Sequence, residues 1–286
     1  MFSEMTGKLW VIATPIGNLG DFSPRAKEVI QQVDLLACES TSSAQRLCSA
    51  LQITCPRLVL YREDSSDSVQ SKLLEQMQEG ASCGLISDAG TPGISDPGWK
   101  LVSQCHALHI PVHSLAGPSS LAAALSTAGQ PSRRFHFAGF PPNKKSERRA
   151  FLEEICQQTV STVFFETPHA ILETLQTLSR LCDPKRSLSI CRELTKLHET
   201  NQKRNLEDWA LHPPTARGEF VLVLEGAPVQ PQEETGDAAE QAKHLLKSGL
   251  SAGQTRDFLE KFAGLARNQA YRLVLEQQQK ISSEPV

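Results

Sequence analysis

Short apolar runs alternate with stretches of helical period through the first part of the chain. Residues 9–15 (LWVIATP), 35–40 (LLACES), 58–61 (LVLY), 82–88 (SCGLISD) and 110–116 (IPVHSLA) carry the apolar runs. Between them, residues 24–33, 44–51, 69–80 and 99–106 place apolar side chains three or four positions apart, which is the period of a helix with one buried face. Repetition of strand and helix predicts βαβ units. Strands that are apolar on both faces predict a mostly parallel sheet covered by helices on either side.

The texture changes at residues 128–145 (AGQPSRRFHFAGFPPNKK), which are dense in Pro, Gly and basic residues. Beyond it, strands are expected at 135–140, 161–167, 187–194 and 218–226, and helices at 147–158, 169–181 and 206–211. A stretch rich in Pro, Gln and Glu follows at 226–236, then helical periods at 238–248 and 254–279, the latter interrupted near Gly264. The expected division is an N-terminal α/β lobe (1–127), a C-terminal α/β lobe (128–228), and a linker with a helical tail (229–286).

Composition narrows the class. A chain of 286 residues favours two lobes over one. With 40% hydrophobic and 21% charged residues, and 17 Gly and 17 Pro dispersed along it, the chain is neither collagen-like, coiled-coil nor wholly disordered. Twenty-nine basic against 32 acidic residues give a net charge of −3, so no global positive field marks a nucleic-acid partner. The eight cysteines never stand at C-x-x-C spacing, and several sit in apolar runs. They read as separate thiols in a reducing compartment, with no disulfide framework. No apolar stretch reaches the roughly 18–20 residues of a membrane helix, and the start, with Glu4, lacks the pattern of a secretory signal. A cytoplasmic location is expected.

Four Gly- or Pro-containing loops stand at carboxyl ends of expected strands, where open α/β sheets bind ligands. They are residues 14–21 (TPIGNLGD), 87–98 (SDAGTPGISDPG), 116–125 (AGPSSLAAAL) and 164–170 (FFETPHA). None contains G-x-G-x-x-G or the Walker pattern, which disfavours the usual dinucleotide and P-loop sites. A small ligand held largely by backbone groups fits better.

These strings, with CRELTKLHET at 191–200 and GEFVLVLEG at 218–226, span most of residues 9–226 in an order that resembles the tetrapyrrole methylase superfamily. Its most similar branch is ribosomal RNA small-subunit methyltransferase I, which acts on a cytidine ribose 2'-hydroxyl. The resemblance implies a two-lobed α/β enzyme with a mostly parallel N-terminal sheet and a mixed C-terminal one. It further implies a homodimer, with S-adenosylmethionine as methyl donor and small-subunit ribosomal RNA as acceptor. By position, the donor contacts would be Pro15, Gly17, Asp88, Ala89, Gly90, Thr91, Ser119 and Ser120 from the first lobe, and Phe165, Glu166, Leu194, Thr195 and Gly218 from the second. A tetrapyrrole or other small-molecule methylase, and a non-catalytic RNA-binding relative, are the alternatives.

A ribose hydroxyl is a poor nucleophile, so a general base or a group that stabilises the developing alkoxide helps. Asp88, Glu193 and Lys196 rank first as catalytic candidates, ahead of Glu39 and Glu199. Where the branch usually reads E-D-T-R followed by His, this chain has Glu39, Ser40, Thr41, Ser42 and Ser43, losing an acid and a base together.

Six basic residues, Arg133, Arg134, Lys144, Lys145, Arg148 and Arg149, stand against the single acid Glu147 in one short segment, a local surplus suited to phosphates. Phe135, Phe137 and Phe140 between them read as strand core. His106, His109 and His113 have no carboxylate or thiol to complete a metal set, and Cys191 reads as structural. The tail has the length of a helix-turn-helix but too few basic residues for a DNA-reading helix.

Overall fold

The computed structural model describes residues 7–228 and 234–282, so residues 1–6, with Glu4, and 229–233 of the expected linker lie outside the described part. The first group of elements is β1 (Lys8–Ile12), α1 (Pro24–Gln32), β2 (Leu35–Cys38), α2 (Thr41–Ala50), β3 (Arg57–Leu60), α3 (Asp67–Gln78), β4 (Ser82–Ile86), α4 (Trp99–Ala107), β5 (Val112–Leu115) and α5 (Ser120–Thr127). The second is β6 (Phe135–Gly139), α6 (Lys145–Gln157), β7 (Ser161–Glu166), α7 (Ile171–Leu181), β8 (Ser187–Arg192), β9 (Thr200–Asn205), α8 (Leu206–Leu211) and β10 (Phe220–Leu224). Both groups belong to one compact unit that ends at Ala227. A separate unit follows with α9 (Glu234–Lys247), α10 (Ala252–Phe262) and α11 (Arg267–Ser282), gathered on Leu259, Ala270 and Val274.

The first sheet is wholly parallel, in the order β3-β2-β4-β1-β5. Its continuous apolar runs are explained by the two-residue period of a strand. Ile12, Leu36, Cys38 and Ile86 face α1 and α2, whereas Leu9, Leu35, Ala37 and Leu85 face α3 and α4. Because the helices after β1 and β4 leave to opposite faces, the carboxyl ends of these adjacent strands open a crevice. Its floor is pinned where the backbones of Thr14 and Gly90 exchange hydrogen bonds, with N···O distances of 2.8 and 3.1 Å.

The second sheet has the order β6-β7-β10-β8-β9 and is mixed, since only β6 and β7 run parallel. Phe164, Leu188, Ile190, Phe220, Leu222 and Leu224 face α6–α8, while Val163, Cys191, Val221 and Val223 face the other way with Ala124 and Ala128.

Four sequence expectations need correction. Residues 120–127 form α5 rather than remaining loop, capped by the Ser119 hydroxyl, which accepts the Ala122 N–H. Strand β9 (TNQKRN) has no apolar face to betray it and is held by its ladder to β8. Cys156 and Cys182 are joined as a disulfide with Cα atoms 5.9 Å apart, because α6 and α7 end together over the same sheet face. Phe140 is not strand core: a register shift between Phe137 and Gly139 ends β6 before it and leaves its ring 54% exposed, 5.0 Å from that of Phe165. Phe135 is likewise exposed.

Candidate active site

A cavity of about 330 Å³ lies between the two sheets, within the range of small-ligand sites. The loop after β4 supplies Asp88, Ala89, Gly90 and Thr91, and the start of α5 supplies Ser119 and Ser120. From the second sheet come Phe165, Glu166, Leu194 and Gly218, so most of the expected donor contacts share one wall. Pro15 and Gly17 instead line an adjoining hollow of about 180 Å³ with Ser43, Leu47 and Asp88. Thr195 lines neither; its N–H donates to the Glu199 carboxylate at 2.7 Å.

Sequence reasoning missed Ile94, Ser95, Asp96, Leu121, Phe140, Thr167 and Glu219, which complete much of the wall. Asp96 could have been found from its place in the loop 87–98, but only folding shows that burial and the neighbouring Asp88 raise its pKa, against a hydrogen bond from Ser87. Cys191 belongs to the same wall, and burial pushes its thiol up to about 11, which rules out a thiolate nucleophile near neutral pH.

The three leading catalytic candidates divide. Asp88 stands where the main cavity meets two neighbouring hollows. Glu193 and Lys196 do not reach the main cavity wall. The Lys196 ammonium donates to the Glu193 carboxylate at 2.9 Å and to Glu219 at 3.0 Å, and Glu193 also accepts the Glu219 N–H at 3.0 Å. Lys196's hydrogen bond lowers the Glu193 pKa, and burial, which would lower that of Lys196, is outweighed by the two carboxylates, which raise it. The pair is a clamp between the end of β8 and the start of β10.

Glu39, ranked lower from sequence, lies at the end of β2 beside Asp88. One of its carboxylate oxygens is fully buried without a hydrogen-bond partner among the described residues. Burial, reinforced by Asp96 and Asp88, pushes its pKa up to about 7, against the Asp88 backbone amide and Arg62. The serines after it are not an empty substitution. The Ser40 hydroxyl caps α2 by accepting the Ser43 N–H and lies 2.9 Å from the Ser42 hydroxyl, while Arg46 donates to Ser43.

The basic segment is also redistributed. Arg148 is buried on the inward face of α6, where its guanidinium donates to Glu166 and Thr174, and Glu166 accepts from Thr174 and from the Thr167 N–H. Arg148 therefore cannot meet phosphate at the surface, and the Glu166 carboxylate is committed to Arg148, Thr174 and the Thr167 N–H. Lys144 and Arg149 are exposed but paired with Glu147 and Glu153. Arg133, Arg134 and Lys145 are exposed with no ion pair among the described residues.

Comparison with known proteins decides the family. The family described as Tetrapyrrole (Corrin/Porphyrin) Methylases matches residues 8–210. The chain belongs to the tetrapyrrole methylase family. Within it, the chain is 38% identical to ribosomal RNA small subunit methyltransferase I of Synechocystis sp., covering 94% of this chain and 98% of that one. The enzyme of the same name from Pseudomonas aeruginosa is also 38% identical, covering 96% and 99%. In fold, the chain is similar to uroporphyrin-III C-methyltransferase from Thermus thermophilus, solved in complex with S-adenyl homocysteine: TM-score 0.52, 16% identity, 77% of this chain and 97% of that one. As a tetrapyrrole methylase the chain is a methyltransferase, and no helix among its described residues is long and apolar enough to cross a membrane.

Proposed function

We propose that this tetrapyrrole methylase transfers a methyl group from S-adenosylmethionine to a cytidine ribose 2'-hydroxyl of small-subunit ribosomal RNA. The observation that carries the reading is the cavity between the two sheets, walled by backbone-rich loops and carboxylates. The wall fits the donor: Ile94, Leu121 and Phe165 offer apolar surface for a flat heterocycle, Ser119 and Ser120 offer hydroxyls, and Asp88 and Asp96 offer carboxylates toward a cation. The bound donor supplies an electrophilic methyl on a sulfonium. The chain's own part is to hold the acceptor oxygen in line with it, which accounts for much of the rate, and to take the hydroxyl proton. The relatives named for small-subunit ribosomal RNA, and the exposed Arg133, Arg134, Lys144 and Lys145, support an RNA acceptor over a porphyrinoid. Mass spectrometry of ribosomal RNA from cells with and without the gene tests the reading: one 2'-O-methylcytidine should be lost, and an unchanged inventory rejects it.

Two further outcomes are expected. Gly90 has φ +87°, a conformation that costs a side-chain-bearing residue, although an added Cβ would find ordinary contact with Ile16 at 3.5 Å. The obstacle is therefore the backbone and not bulk, and Gly90→Val should weaken donor binding tenfold or more, about 1.4 kcal/mol. Unchanged affinity by calorimetry in a folded variant removes this loop from the site. In the basic segment, changing Arg133, Arg134, Lys144 and Lys145 to Gln while keeping Arg148 should weaken RNA binding and flatten its salt slope by about 0.7 per lost single-strand phosphate contact. Donor affinity should hold. A salt slope that survives all four changes places the RNA elsewhere.

A further inference from the structure

Resting on the methyl-transfer reading above, we infer that Glu39 is the general base that removes the proton from the acceptor hydroxyl. Beside the main cavity lies a second, more open hollow lined by Glu39, Ser40, Arg62, Glu63, Asp64, Asp88 and Pro97. Asp88 belongs to the walls of both, so a group in the second hollow lies one residue away from whatever fills the first. This is the arrangement a transfer between two molecules requires, with donor in one compartment and acceptor in the next.

Glu39 is fixed there by the carboxyl end of β2, and the Arg62 Nε donates to its backbone carbonyl at 2.9 Å. The side chain is not used up by the fold: one oxygen is buried and has no partner among the described residues. By contrast, Glu193 and Glu166 both spend their carboxylates on basic side chains. Leaving a buried carboxyl oxygen without a partner is costly above all when the group is charged, so this carboxylate is primed to take up a proton.

The groups around Glu39 set its readiness. From the loop after β4, Asp88 and Asp96 face it; from the segment after β3 come Arg62, Glu63 and Asp64; from its own strand comes Cys38. Burial, and after it Asp96 and Asp88, disfavour the negative charge, whereas the Asp88 backbone amide and Arg62 favour it, and together they push its pKa up to about 7. A base poised near the working pH is about half ionised there and able to accept a proton.

The step balances. The hydroxyl oxygen forms a bond to the methyl carbon as the bond from that carbon to sulfur breaks. The electron pair of that bond stays on sulfur, whose positive charge is cancelled. The hydroxyl proton passes to the ionised Glu39 carboxylate and is later released to water.

The test measures single-turnover methyl transfer to small ribosomal subunits across pH 5.5–9 for the wild type and Glu39→Gln. Transfer by the wild type should rise through a midpoint near 7. Glu39→Gln should be slower by about 10²–10⁴-fold and lose that rise, with donor and subunit affinities within twofold of wild type. A second readout needs no turnover. Because the folded carboxyl titrates above its unfolded value, folding loses stability as pH climbs from about 4.5 to 7. Gln has no such group, so the midpoint of thermal unfolding of Glu39→Gln should gain on wild type between pH 5 and 8. Should Glu39→Gln fail to fold, Glu39→Asp, which shortens the reach by one methylene, should transfer at least tenfold more slowly and keep the rise. Wild-type rate and pH profile in either folded variant overturn the assignment. A wild type that methylates no ribose hydroxyl overturns the acceptor reading itself, and the base with it.

Discussion

Arg148→Ala is expected to lower the stability of the first compact unit by about 3–5 kcal/mol, the cost of leaving a buried charge uncompensated. The Glu166 side chain is only 1% exposed, and with Arg148 gone its carboxylate keeps the Thr174 hydroxyl and the Thr167 N–H but no countercharge. The neighbouring Arg149→Ala, which removes an exposed partner of Glu153, should leave the unfolding midpoint unmoved. Urea titration of the three proteins separates the cases. Replacing both partners, Arg148→Met with Glu166→Met, should restore most of the loss, because an apolar pair needs no countercharge. A loss below about 1 kcal/mol for Arg148→Ala would mean that the pair is solvated.

Gly218→Val should reduce donor affinity tenfold or more, at least about 1.4 kcal/mol. Gly218 lies in the cavity wall with φ +85°, and a Cβ there would stand 2.5 Å from the Glu193 carboxyl group. Glu193 cannot yield cheaply, since it is held by Lys196 and by the Glu219 N–H. The clash therefore moves the wall or breaks the clamp. Combining Gly218→Ala with Glu193→Ala removes the collision but not the unfavourable φ, so the double variant should recover part of the affinity. Calorimetry giving wild-type affinity for Gly218→Val in a folded protein would place the donor away from this turn.

The sequence made the first sheet legible because β2 and β4 are buried on both faces while the helices bury only one, and that contrast is plain in strings such as LLAC and SCGLI. The loops 87–98 and 116–125 were legible as candidates because of where they fall relative to strand ends, and both line the cavity. What stayed hidden depends on pairs distant in sequence. Nothing near Arg148 says that Glu166 and Thr174 bury it; in the string it is one of several basic residues. The edge strand β9 is specified by its pairing with β8 and not by its own side chains. Phe140 reads as the last residue of an apolar run, and only the shift at Gly139 turns it outward. Glu39 could be named as a carboxylate, but its raised pKa comes from burial and from the charges of Asp96 and Asp88, about fifty residues on.

The face of the second sheet that carries Val163, Cys191 and Val221 has a consequence for how the protein can vary. Leu194, Cys191 and Val221 are at once packed interior and cavity wall. Trimming one of them to enlarge the pocket removes interior contacts at the same stroke, with the loss expected of any core truncation. The reverse also holds: a ligand seated against these side chains stabilises the folded chain in proportion to its occupancy. Changes in ligand preference are therefore confined to the rim, at positions such as Ile94, Ser95 and Phe140, where a side chain can change shape without hollowing the interior.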